Sequence, residues 1–119
     1  MIGTPFIVIA AKCLSMRVWF VSRHPGAVTW AKNQNIQADY WVPHLSVDQI
    51  CAGDIVMGVL PVHLAAEVCA RGARYFNLSI DLPYTLRGKE LNEDDLLMAD
   101  ARLEEFKIIS KGVSSHDKV

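Results

Sequence analysis

The stretch Arg17 to Gly26, RVWFVSRHPG, is a strand that runs straight into a helix, and it limits what the whole chain can become. Val18 to Val21 is a run of β-branched and aromatic residues, which reads as a buried strand. Ser22, Arg23 and His24 follow without a break, and Pro25 then suits the first turn of a helix, where its missing N–H costs nothing. A strand that ends in polar residues at a helix N-terminus is a ready anion site, because free backbone N–H groups and the positive end of the helix dipole point the same way. Arg23 adds a planar donor fork suited to phosphate, and His24 adds an imidazole, the side chain used for proton transfer near neutrality. A turn whose polar residues only cap the helix has the same spacing, so the junction alone leaves both readings open.

The same layout returns later in the chain. Ile55 to Leu60, IVMGVL, is apolar throughout, as in strands covered on both faces, and Gly58 within it signals close approach of a neighbour. Pro61-Val62-His63 then opens a helix with Leu64, Ala65, Val68 and Cys69 on its buried face and Gly72 just past its end. His63 either caps that helix or reaches a ligand. Arg71 and Arg74 flank the other end, where positive charge suits the dipole. Between the two units, Ala27, Val28, Trp30 and Ala31 give an apolar helical face that ends at Asn33 to Asn35. Asp39 to Val42 reads as a short strand stopped by Pro43, with His44 a solvated loop residue. Ser46 to Ile50 reads as one helical turn, capped by Ser46 with Gln49 as the reciprocal partner.

Arg74 to Ile80 is a further strand in which Asn77 and Ser79 alternate with apolar residues, so one face is polar, and Asp81-Leu82-Pro83 closes it. Tyr84 to Lys89 is a loop bearing Arg87, Gly88 and Lys89. Asn92 starts a helix with Glu93, Asp94 and Asp95 in its first turn, and Leu96, Ala99, Leu103 and Phe106 keep a helical stripe. Lys107 to Ile109 reads as a final short strand. This order predicts an α/β sandwich with a mainly parallel central sheet. Ligands in such sheets bind beyond the carboxyl ends of the strands. Ser22-Arg23-His24, Pro61-Val62-His63 and Ser79-Ile80-Asp81 would then share one edge, which favours a phosphate site over capping alone.

The expected domain is 16–109. It is preceded by an extension over residues 1–15, for which an extra edge strand is the competing reading, and followed by a polar tail over 110–119. The apolar run in the extension, PFIVIAAKCL, is too short to span a bilayer and has no basic region before it. A net charge of -1 gives no bulk attraction to a nucleic-acid backbone or an anionic membrane, so neither DNA nor a membrane is an expected partner and any phosphate site is local. Three widely spaced cysteines, without a CxxC, point to a reducing cytoplasm and free thiols. No metal-ligand spacing appears, and the three carboxylates of the last helix point in different directions, so no metal and no cofactor are expected. GxGxxG, Walker, GxSxG and HExxH motifs are all missing, which leaves the common nucleotide-binding, hydrolase and zinc-peptidase classes unsupported.

The segments MRVWFVSRHPGAVTWA, GVLPVHLAAEVCARGARYFNLSIDLP and LRGKEL together resemble a small CRISPR-associated family that accompanies type III interference systems and is placed among the ring nucleases. The resemblance covers about Met16 to Phe106. It implies a CARF-like, Rossmann-like three-layer fold acting as a homodimer, with cyclic tetra-adenylate, a cyclic oligoadenylate second messenger, bound across the two-fold. Two features depart from the family pattern: residues 1–15 lie upstream of the usual start, and His63 stands where Asn is more usual, so a ligand contact suits His63 better than catalysis. RNA phosphodiesters carry their own nucleophile, the ribose 2′-OH, so a protein without a metal cluster can cleave them by alignment and charge stabilisation. On this reading Ser22, Arg23 and His24 are catalytic, and Gly26, Pro61, His63, Ser79, Asp81 and Arg87 contact ligand. The same donors would serve a binding protein without turnover, a sponge or regulator, and an α/β domain with a purely structural role is the third class.

Overall fold

The computed structural model describes residues 16–112. The expected extension over 1–15 and the tail from 113 onward, with His116, lie outside the described residues. The chain forms β1 (Val18–Val21), α1 (Pro25–Asn33), β2 (Tyr40–Val42), β3 (Ile55–Gly58), α2 (Val62–Ala70), β4 (Arg74–Ser79), α3 (Glu93–Met98) and β5 (Arg102–Phe106). Single 3-10 turns lie at Val47–Gln49 and Tyr84–Leu86. The sheet order is β2-β1-β3-β4-β5, with the first four strands parallel and β5 antiparallel to β4. The fold is therefore α/β with a mostly parallel sheet.

The period-2 pleat sends neighbouring residues of each strand to opposite faces. Trp19 and Val21 join Val56 and Tyr75 in a core with Ala65 and Val68 of α2. Phe20 joins Met57 and Leu78 in a second core with Ala27, Trp30 and Ala31 of α1 and Leu96 of α3. Helices thus cover both faces, which is why β1 and β3 are apolar along their whole length. Phe20 and Val56 are fully buried, and burial of such side chains stabilises by about 1.5–3 kcal/mol each. Trp30 is a core residue, as its helical spacing predicts.

Gly58 ends β3 two residues before the apolar run does. It has φ 129 and pairs with Val21, and a Cβ there would overlap the Val21 carbonyl oxygen. The close approach expected of this glycine is to β1, and it lets Val59 to Pro61 turn off beside Ser22. At the opposite end of the sheet the Asp54 carboxylate is fully buried. It accepts from the backbone N–H groups of Arg17 and Cys51, both at 3.1 Å, and from Trp19 Nε1 at 3.3 Å, and it pairs with the Arg17 guanidinium at 3.3 Å. This one side chain ties the start of β1 to the turn before β3.

Four expectations are corrected. The helical stripe does not continue to Phe106: α3 stops at Met98, Asp100 takes φ 56, and Arg102–Phe106 pairs with β4 as a strand. Lys107 to Ile109 follows that strand and is not one itself. Ser46 precedes a 3-10 turn, and its side chain makes no capping bond. Of the thiols, Cys69 is free as expected, whereas Cys51 is disulfide-bonded.

Candidate functional site at the carboxyl edge of the sheet

β1 leads to β2 on one side, and β3 lies on its other side, so the strand order reverses between β1 and β3. A crevice opens at the carboxyl ends of the strands at such a point. Here it is a cavity of about 900 Å³, within the usual range for small-ligand sites. Its buried lining residues, Val21, Ala27, Leu60, Leu78 and Leu96, are all apolar. Its exposed lining carries Arg23, His24, His44, Lys89 and Glu90. A hydrophobic interior under a charged mouth suits an amphiphilic ligand with a flat apolar group and anionic groups.

The junction after β1 is held from both sides. The Ser22 N–H donates to the Val42 carbonyl at 2.9 Å, and Ser22 Oγ accepts the His24 N–H at 3.1 Å. No side chain caps α1, whose first residue is Pro25. Simple capping is therefore not what these polar residues do. Arg17, Arg71, Arg74 and Arg102 each pair with a carboxylate. Arg23 has no such partner among the described residues, so its guanidinium is available at the cavity mouth. His24 Nδ1 lies 2.9 Å from Glu90 Oε2, across 66 residues of sequence. Lys89 pairs with Asp95 at 3.5 Å and keeps its place on the lining.

Of the residues expected to share the site, Ser22, Arg23, His24 and Pro61 meet on this cavity. The others do not line it. Gly26 packs against the backbone of Leu91 and Asn92. The pleat directs Leu78 and Ile80 to the cavity, so Ser79 between them takes the other face. There it ends a partly buried chain: the Leu60 N–H donates to the Tyr75 hydroxyl at 3.2 Å, that hydroxyl donates to Asn77 Oδ1 at 2.6 Å, and Asn77 Nδ2 donates to Ser79 Oγ at 3.0 Å. Burial pushes the Tyr75 pKa above its ordinary value, so the hydroxyl keeps its proton as a donor. Asp81 pairs with Arg102 at 3.3 Å. His63 lies in a separate groove of about 340 Å³ with Lys107 and Ser110. Arg87 is exposed beside the lining residues Gly88 to Glu90.

Three polar lining residues lie outside the set expected from the sequence: His44, Lys89 and Glu90. His44 follows β2, whose end is bonded to Ser22, so strand order alone could have found it. Lys89 and Glu90 reach the site only through the docking of the segment before α3.

The family model described as "Putative CRISPR-associated protein (Cas_VVA1548)" matches residues 19–109. The chain belongs to this family. The matched span runs from β1 past β5 and contains every residue of the cavity lining. No curated protein and no solved structure matches the chain. Among the described residues, no group of three or more His, Cys, Asp or Glu side chains could hold a metal ion, and no helix is long and apolar enough to cross a membrane.

Proposed function

We propose that this chain is a ring nuclease of type III CRISPR defence. It binds a cyclic oligoadenylate, specifically the cyclic tetra-adenylate, and cuts it into linear products, which switches off the signal in the cytoplasm. The observation that carries this reading is the meeting of Ser22, His24 and an Arg23 with no carboxylate partner among the described residues at the mouth of an apolar cavity, in a chain of a CRISPR-associated family. The apolar lining takes an adenine, and Arg23 and Lys89 take phosphates. The fold on this reading is CARF-like, and two copies share one ring across a two-fold, so two opposed linkages are cut.

The chemistry needs no outside nucleophile. The ribose 2′-oxygen attacks phosphorus, and the bond from phosphorus to the 5′-oxygen breaks. The 2′-OH gives up its proton, and the 5′-oxygen gains one, leaving a 2′,3′-cyclic phosphate and a 5′-OH. Arg23 stabilises the charge that develops on the phosphoryl oxygens. Ser22 and the backbone of its turn orient the phosphate. His24 carries one of the two protons, a role worth about 10²–10⁴-fold in rate. The test is incubation with cyclic tetra-adenylate in EDTA and mass analysis of what is recovered. Ligand that stays intact but bound supports the binding protein instead.

A further inference from the structure

We infer that Glu90 is a positioning residue that holds His24 in a single tautomer, with Nδ1 protonated and Nε2 left for the substrate. An ionised carboxylate only accepts hydrogen bonds. With Glu90 Oε2 at 2.9 Å from His24 Nδ1, the proton of the neutral ring belongs on Nδ1. Nε2 has no partner among the described residues, and His24 lines the cavity.

Both side chains are well exposed, 59% and 64%, and an exposed pair of this kind does not hold itself in one geometry. The backbone does the holding. Gly26 lacks the Cβ that would strike the Leu91 carbonyl oxygen and lie 2.9 Å from the Asn92 α-carbon, so the segment after Glu90 seats directly on the first turn of α1. Asn92 and Asp95 close a capping box at 3.1 and 2.9 Å, and Lys89 pairs with the same Asp95. The residues on both sides of Glu90 are therefore fixed relative to α1, whose N-cap is His24 itself. Gly26, expected to touch ligand, acts instead as the seat that brings Glu90 to His24.

The positioning claim stands on geometry, and its catalytic consequence rests on the nuclease reading. The experiment is ¹⁵N NMR of the histidine rings in alkaline buffer for wild type, Glu90→Ala and Gly26→Ala, with cleavage of cyclic tetra-adenylate measured on the same samples. The expected result is a His24 ring protonated at Nδ1 in wild type, loss of that single tautomer in both variants, and a fall in kcat of about tenfold or more with KM within about twofold. An unchanged tautomer in Glu90→Ala, which leaves no acceptor at this position, overturns the inference, as does an unchanged kcat in an active enzyme. A wild type that cleaves nothing while the tautomer responds as stated overturns the nuclease reading and upholds the pairing.

Discussion

Gly26 lies so close to Leu91 that a methyl group on its α-carbon would overlap the Leu91 carbonyl oxygen. The contact joins the junction that follows β1 to the segment that leads into α3, two parts of the chain far apart in sequence. It fixes one wall of the cavity against another.

Gly26→Ala tests that contact by the sign of its effect. Helix propensity alone favours Ala over Gly by about 1 kcal/mol. Overpacking against backbone costs about 1–3 kcal/mol. We expect net destabilisation, read as a lower urea midpoint with an unchanged slope. A raised midpoint would mean that the segment moves aside without cost.

On the proposed nuclease reading, Arg23→Ala removes the cation that would meet the scissile phosphate. Loss of one such donor lowers kcat by about 10²–10³-fold. Binding of cyclic tetra-adenylate should weaken and become less sensitive to salt, since an exposed charge contact is screened. Single-turnover cleavage and titrations at two ionic strengths check both statements.

Asp54→Ala should cost more stability than any of the other substitutions. It leaves the Arg17 guanidinium without its carboxylate and three N–H donors without an acceptor. Breaking a buried pair from one side costs about 3–5 kcal/mol, a large share of a domain's total stability. Chemical denaturation of Asp54→Ala and of Asp54→Asn, which keeps an acceptor, checks the size and the order of the effects.

Tyr75→Phe leaves the Leu60 N–H and the Asn77 amide oxygen without their partner, at a cost of about 1–3 kcal/mol. The pH dependence has a definite sign. Burial raises the Tyr75 pKa above the value of 10.0 that an unfolded chain has. Its contribution is thus fully present below that value and is lost as pH rises through the folded value. Unfolding followed from neutral to strongly alkaline pH should show a decline in wild type that Tyr75→Phe lacks.

The parallel strands are legible in the sequence because both faces of β1 and β3 are buried, which forces continuous apolar runs. The junction at Ser22 to His24 is legible too, since Pro25 marks the helix start within a few residues. The pattern misleads where two periods coincide. Leu96, Ala99, Leu103 and Phe106 keep helical spacing, yet the positive φ of Asp100 breaks the helix and the rest becomes β5. The Ser46 and Gln49 pattern matches a capping box, but a one-turn 3-10 segment does not form the bond. The neighbours of Ser79 in sequence point it to the edge, and the pleat turns it to the other face. Glu90 is out of reach for another reason: its link to His24 depends on a backbone contact at Gly26 that no local pattern encodes.

The most direct measurement is incubation of the wild-type protein with cyclic tetra-adenylate in EDTA, followed by chromatography and mass analysis. We predict linear diadenylates that end in a 2′,3′-cyclic phosphate, formed by wild type and almost lost in Arg23→Ala. Recovery of the ring intact from the wild-type protein would contradict the account.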